Sequence, residues 1–211
     1  MINHYKLLVI TAFLSSCSSL PPVAYLDIAK LGYTSVFGYP EQPITKEIYD
    51  TREFSFAKAN IGNSPQNIIV LLNTENQLFQ WLSQDNIRLY TEYGRIVRVI
   101  GLEKDFSIRN PVNKSLFAMN KNDTYYETID LFSPDLFGSS LKREIISVTK
   151  SKSQFLGNTV STILIKEKIS LENIGWKEVN VYEFFNDGRP FRTLQSIHPN
   201  LPKIKLEFYI K

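Results

Sequence analysis

After Asn63-Ser64-Pro65 the chain takes on a period of two, with apolar and polar residues alternating as they do on a strand with one buried face. Asn67 to Leu72 is a continuous apolar strand and Gln77 to Leu82 a second, with Asn73-Thr74-Glu75-Asn76 as the turn between them. Ile87, Leu89, Thr91 and Tyr93 then alternate with Arg88, Tyr90 and Glu92, and Gly94-Arg95 turns the chain into Ile96 to Ile100. These segments predict an antiparallel meander. Further strands are expected at Thr124 to Leu131, Lys142 to Thr149, Val160 to Ile169 and Trp176 to Phe185, where Asn186-Asp187-Gly188 turns into Phe191 to Ile197. In the last strand Ile204, Leu206, Phe208 and Ile210 alternate with Lys203, Lys205, Glu207 and Tyr209, so one face is buried and the other wet.

The helical period is scarce. Tyr25, Ile28 and Leu31 place the best helix between Ala24 and Leu31, and Gly32 to Gln42 is too interrupted by Gly and Pro to be regular. Roughly nine or ten short strands with one early helix argue for a mostly β fold, a single antiparallel meander sheet curled into a half-open barrel or sandwich. The aromatic content of 13% points the same way.

The N-terminus follows a different logic. Lys6 precedes an apolar run from Leu7 to Leu14 broken only by Thr11, too short for the roughly 20 residues of a spanning helix but of the size of a signal-peptide core. Leu14-Ser15-Ser16-Cys17 resembles the lipobox of bacterial lipoproteins, which implies cleavage between Ser16 and Cys17 and lipidation of Cys17. Cys17 is the only cysteine, so no disulfide forms within one chain. More than one acyl chain is needed for stable anchoring, and a triacylated Cys17 meets that need. Ser18 and Ser19 follow the cysteine where an aspartate commonly retains such proteins in the inner membrane, so the expected location is the outer membrane, periplasmic face. The expected organisation is a signal over 1–16, a lipidated tether over 17–23 and a single β domain over 24–211. A net charge of +3 gives no electrostatic footprint for nucleic acid.

Enzymatic chemistry has little to build on. The mature chain has one histidine, His198, in Ile197-His198-Pro199-Asn200, which reads as a solvated loop. A multi-histidine metal site is therefore impossible, and neither a Gly-x-Gly-x-x-Gly nor a Gly-Lys-Ser/Thr phosphate loop occurs, so no metal and no cofactor are expected. Glu127, Glu144, Glu167, Glu178 and Glu183 lie inside strands and could in principle cleave a glycosidic bond, but they read as solvated residues of polar strand faces. What remains is aromatic and basic: Trp81, Arg88, Tyr90, Arg98 and Trp176 are the candidate contacts for sugar rings, acidic groups or a partner chain. Arg88 and Tyr90 share one strand face and lead that set.

Gln80-Trp81-Leu82-Ser83-Gln84-Asp85, then Tyr93-Gly94-Arg95-Ile96-Val97 and Gly101-Leu102, resemble the central signature of the YjbF/GfcB lipoproteins. The resemblance continues through Tyr125-Tyr126, Trp176, Asn180, Tyr182 and Gly188 to the closing Pro202 and Ile210-Lys211. One departure stands out, since Glu183 follows Tyr182 where the family has a tryptophan. The resemblance implies a mostly β fold and a non-catalytic accessory role in capsule or exopolysaccharide production or export. The implied partners are the membrane, through the N-terminal lipid, and a polysaccharide or the outer-membrane export machinery. A lipid-binding carrier with an apolar half-barrel and a carboxylate-dependent polysaccharide hydrolase or lyase remain alternatives at this level.

Overall fold

The computed structural model describes residues 43–133 and 135–211. The signal peptide, Cys17, the tether and the helix expected at Ala24 to Leu31 lie outside the described residues. After a short helix α1 (Lys46–Thr51), capped by the Thr45 hydroxyl, the chain runs through twelve strands: β1 (Phe56–Ile61), β2 (Asn67–Glu75), β3 (Leu78–Leu82), β4 (Arg88–Glu92), β5 (Arg95–Ile100), β6 (Phe106–Ile108), β7 (Thr124–Leu131), β8 (Leu136–Phe155), β9 (Asn158–Leu171), β10 (Trp176–Phe185), β11 (Pro190–Gln195) and β12 (Ile204–Tyr209).

Each strand pairs antiparallel with the next in sequence, and β1 pairs with both β2 and β12. The sheet is therefore a closed up-and-down barrel rather than the half-open barrel or sandwich expected from sequence. The physical cause is β1, which carries Phe56 opposite Val70 on one side and opposite Tyr209 on the other and so removes both free edges. Tight turns drive the meander. Asn76 and Gln77 have φ of 48° and 70°, and Tyr93 and Gly94 of 49° and 80°, the left-handed pairs whose twist suits a two-residue hairpin.

An eight-stranded barrel is just filled by its own side chains, and diameter grows with strand number. Twelve strands need more filling, and different devices supply it along the axis. One end holds an apolar core built on Trp81, Val99, Ile129, Leu141, Leu171, Leu206 and Phe208. At the other end the β6–β7 connection folds back as a strap, and its Leu116 and Met119 pack with Ile145, Ile165, Tyr182 and Phe184. Between the two lies a layer of buried charge.

The β8–β9 hairpin outgrows the barrel. Past the irregularity at Ile145 and Ser147, β8 has no partner but β9, and the hairpin tip bends over the outer faces of β10, β11, β12 and β1. There the Phe155 ring sits 5.1 Å from that of Phe185, 5.5 Å from Phe191 and 5.7 Å from Tyr209.

Candidate functional site

Of the five contact residues expected from sequence, the barrel brings three together. Arg88 is exposed beside Leu89, which lies in the core, and Arg98 is exposed between the buried Val97 and Val99, while Tyr90 is half-buried and packs in part against the core. Tyr90 and Arg98 are cross-strand partners, with the guanidinium 5.7 Å from the ring centre, a cation–π arrangement. Arg88 and Arg98 are exposed, and among the described residues neither forms an ion pair with a carboxylate. The outer face of β4 and β5 thus presents two guanidinium groups beside a half-buried phenol, a surface able to fork onto carboxylates and lie against a ring.

The two tryptophans do not join this face. Trp81 is fully buried, its indole N–H donating to the Thr91 hydroxyl at 2.9 Å and its ring lying against Phe79 and Phe208. It is a core residue with no surface to offer a ligand. Trp176 is half-buried at the start of β10 and packs against the apolar core, which removes most of its ring from a binding role.

A second constellation lies inside the barrel and was not anticipated. Arg143 reaches Glu127 through Nε at 2.6 Å and Glu167 through Nη1 at 2.8 Å, and Arg95 Nη1 reaches Glu127 at 2.9 Å. Glu167 also accepts from the Tyr125 hydroxyl and, at 3.0 Å, from the Tyr182 hydroxyl. The strap is bolted to this cluster, because Arg95 Nη2 donates to the Val112 carbonyl at 2.7 Å and the Val112 N–H donates to Glu127 at 2.8 Å. Burial would raise the Glu127 pKa, but Arg143, Arg95 and the Val112 N–H outweigh it and hold the carboxyl below its usual range. Burial, then the charge of Glu167, pushes the Tyr125 and Tyr182 phenols above theirs. The charges answer one another and are sealed from water. Glu127 and Glu167 are thus engaged by Arg95, Arg143, Tyr125 and Tyr182, whereas Glu92, 3.6 Å from Arg95 Nη2 at the edge of the cluster, has its pKa raised by burial.

Glu127, Glu167 and Glu183, expected as solvated, are therefore buried, whereas Glu144 is half-buried and Glu178 pairs with Lys203 at 3.0 Å. Glu183 sits in a cross-strand row with Arg192, Glu207 and Lys58, alternating in sign. Arg192 lies 3.2 Å from Glu183 and Lys58 3.2 Å from Glu207, while Ser153 and Thr162 of the β8–β9 hairpin donate to Glu183. His198 is likewise not a solvated loop residue. It is fully buried, accepts the Asn200 N–H at Nδ1 and lies 3.1 Å through Nε2 from the Phe132 carbonyl, which assigns the ring proton to Nε2.

Comparison with known proteins places this geometry. The crystal structure of the hypothetical lipoprotein YmcC from Escherichia coli K12 superposes with a TM-score of 0.70 at 15% identity, over 92% of this chain and 98% of that one, and shares the fold. A putative lipoprotein from Parabacteroides distasonis is more distant, with a TM-score of 0.33 at 10% identity over 75% of this chain and 95% of its own. No curated protein sequence matches the chain. The model of the family described as group 4 capsule polysaccharide lipoprotein GfcB, YjbF, matches residues 33–209, and with all twelve strands inside that match the chain belongs to the YjbF/GfcB lipoprotein family.

Proposed function

We propose that the protein is a non-catalytic accessory factor for producing or exporting a surface polysaccharide, held by a lipid on Cys17 at the periplasmic face of the outer membrane. Membership of a capsule polysaccharide lipoprotein family over residues 33–209 is the observation that carries this reading. The exposed guanidinium groups of Arg88 and Arg98 beside Tyr90, which meet no carboxylate among the described residues, support it, since such a face suits an acidic polysaccharide or an acidic patch on an export subunit. Anchoring would raise the effective concentration of that face near membrane partners without any new contact.

Cys17→Ser tests the anchor. The variant should appear folded in the soluble periplasmic fraction while the parent fractionates with the outer membrane. Retention of a folded Cys17→Ser protein in the membrane would contradict the anchor. Purified protein incubated with the organism's own polysaccharide should leave the chain length unchanged, and progressive shortening would establish an enzyme instead.

A further inference from the structure

At the barrel end opposite the strap, the turns that follow β1, β3 and β5 surround the mouth of a cavity of about 240 Å³. Its inner walls are Ile69, Leu89, Val99 and Ile204, all buried and all aliphatic. Among the described residues, the lining contains no charged side chain and no aromatic ring. Polar groups occur at the mouth, but three of them are committed to the chain's own backbone: Ser64 Oγ accepts the Ile61 N–H at 3.0 Å, Ser83 Oγ accepts the Ile87 N–H at 3.0 Å, and Asn60 Nδ2 donates to the Gly62 carbonyl at 2.9 Å.

We propose that this cavity is a binding site for one hydrocarbon chain of a membrane lipid, taken end-on with its polar group left at the mouth. An aliphatic cavity of about 150 Å³ accommodates benzene, whereas sites for drug-sized ligands begin at about 300 Å³. The volume here therefore suits a single slender apolar group. Sugars are disfavoured because no free polar group inside could replace their hydration. Flat aromatic ligands find no ring to stack on among the described lining residues, none of which carries a charge to meet a charged head group. Hydrocarbon chains are what a protein of a lipoprotein family has at hand. The site is independent of the Arg88 and Arg98 face, so either assignment can fail without the other.

The test uses the chain from residue 17 onward carrying Cys17→Ser, with isotope-labelled Ile, Leu and Val methyl groups. Titration with the alcohols from 1-butanol to 1-octanol should give saturable shifts at the methyls of Ile69, Leu89, Val99 and Ile204. Affinity should rise about fourfold per added methylene, the equivalent of about 0.8 kcal/mol of apolar transfer. Ala59→Leu adds carbons to the cavity wall and should weaken 1-octanol binding about tenfold or more while the methyl spectrum stays dispersed. Should that variant not fold, Ile87→Trp at the half-exposed mouth is expected to have the same effect. Shifts that grow without saturating, an affinity that ignores chain length, or a folded filled variant that binds like the parent would overturn the assignment.

Discussion

Arg143 lies between two carboxylates with almost no solvent contact, and that position decides what substitution there does. Breaking a buried ion pair by removing one partner leaves an uncompensated charge and costs about 3–5 kcal/mol. Arg143→Ala should lower unfolding free energy by that amount in urea titration, and Arg143→Lys should restore little, because one ammonium cannot reproduce the Nε and Nη1 contacts to Glu127 and Glu167. A cost under about 1 kcal/mol would show that the cluster is not coupled to folding. His198 supplies a separate pH signal. Burial lowers its folded pKa, whereas the unfolded chain titrates near 6.5. Its contribution is complete above about pH 6.5 and declines as pH falls towards the lowered folded value, since the unfolded state there binds the extra proton. Glu92 acts in the opposite sense, its raised pKa weakening the fold as pH climbs above the ordinary carboxylate range, so the parent and His198→Gln must be compared at each pH. The parent should lose stability between pH 7.5 and 5.5 by more than His198→Gln does, and equal losses would contradict the assignment. The burial of these groups was partly legible in the sequence. Glu127 shares parity with Ile129 and Leu131, Arg143 with Leu141 and Ile145, and Glu167 with Ile165 and Ile169, so each stood on the apolar face of its strand. Which cation met which carboxylate was not legible, because Arg95 and Glu127 stand on β5 and β7, with the short β6 between them, and meet across the sheet rather than as neighbours in one strand pair.

Strands of even alternation were readable to their ends, as β7 and β10 illustrate with bounds equal to those expected from sequence. Elements without apolar bulk were not. β1 meets the core through two alanines, Ala57 and Ala59, and a partly buried Ile61 at its end, β6 spans three residues, and α1 buries none of its six. The sequence pattern ends at Thr149, because Lys150-Ser151-Lys152-Ser153-Gln154 carries no apolar alternation, whereas β8 continues to Phe155. There the covered side docks through a hydroxyl donated to Glu183 and through the Phe155 ring instead. Turn chemistry makes a sharper test at this scale. Gly94 has φ of +80°, and a Cβ on it would stand 2.8 Å from Pro190 Cβ. Gly94→Ala should cost at least about 1–2 kcal/mol from the left-handed backbone alone, with the clash against Pro190 adding to it. An unchanged urea midpoint would mean that the β4–β5 turn does not set the hairpin register.

For the whole molecule, closure of the barrel separates what sequence could reach from what it could not. The meander of consecutive hairpins follows from local turns, but the seam between β1 and β12 joins the two ends of the domain and leaves no trace in a local period. Closure also fixes which surfaces remain for function. Trp81 is drawn into the core, whereas Arg88, Tyr90 and Arg98 stay outside on adjacent strands. Tyr90 is half-buried and packs against the core, so its truncation mixes stability with function, while the two exposed arginines keep them apart. The most direct test of the account is surface polysaccharide measured on cells whose only copy of the protein carries Arg88→Ala and Arg98→Ala, alongside the melting temperature of the purified variant. Each exposed substitution should change stability by no more than about 0.5 kcal/mol, and the account expects surface polysaccharide to fall several-fold with protein level and membrane fractionation unchanged. Polysaccharide at the parental level, in cells where deleting the whole protein abolishes it, would contradict the claim that this face carries the function.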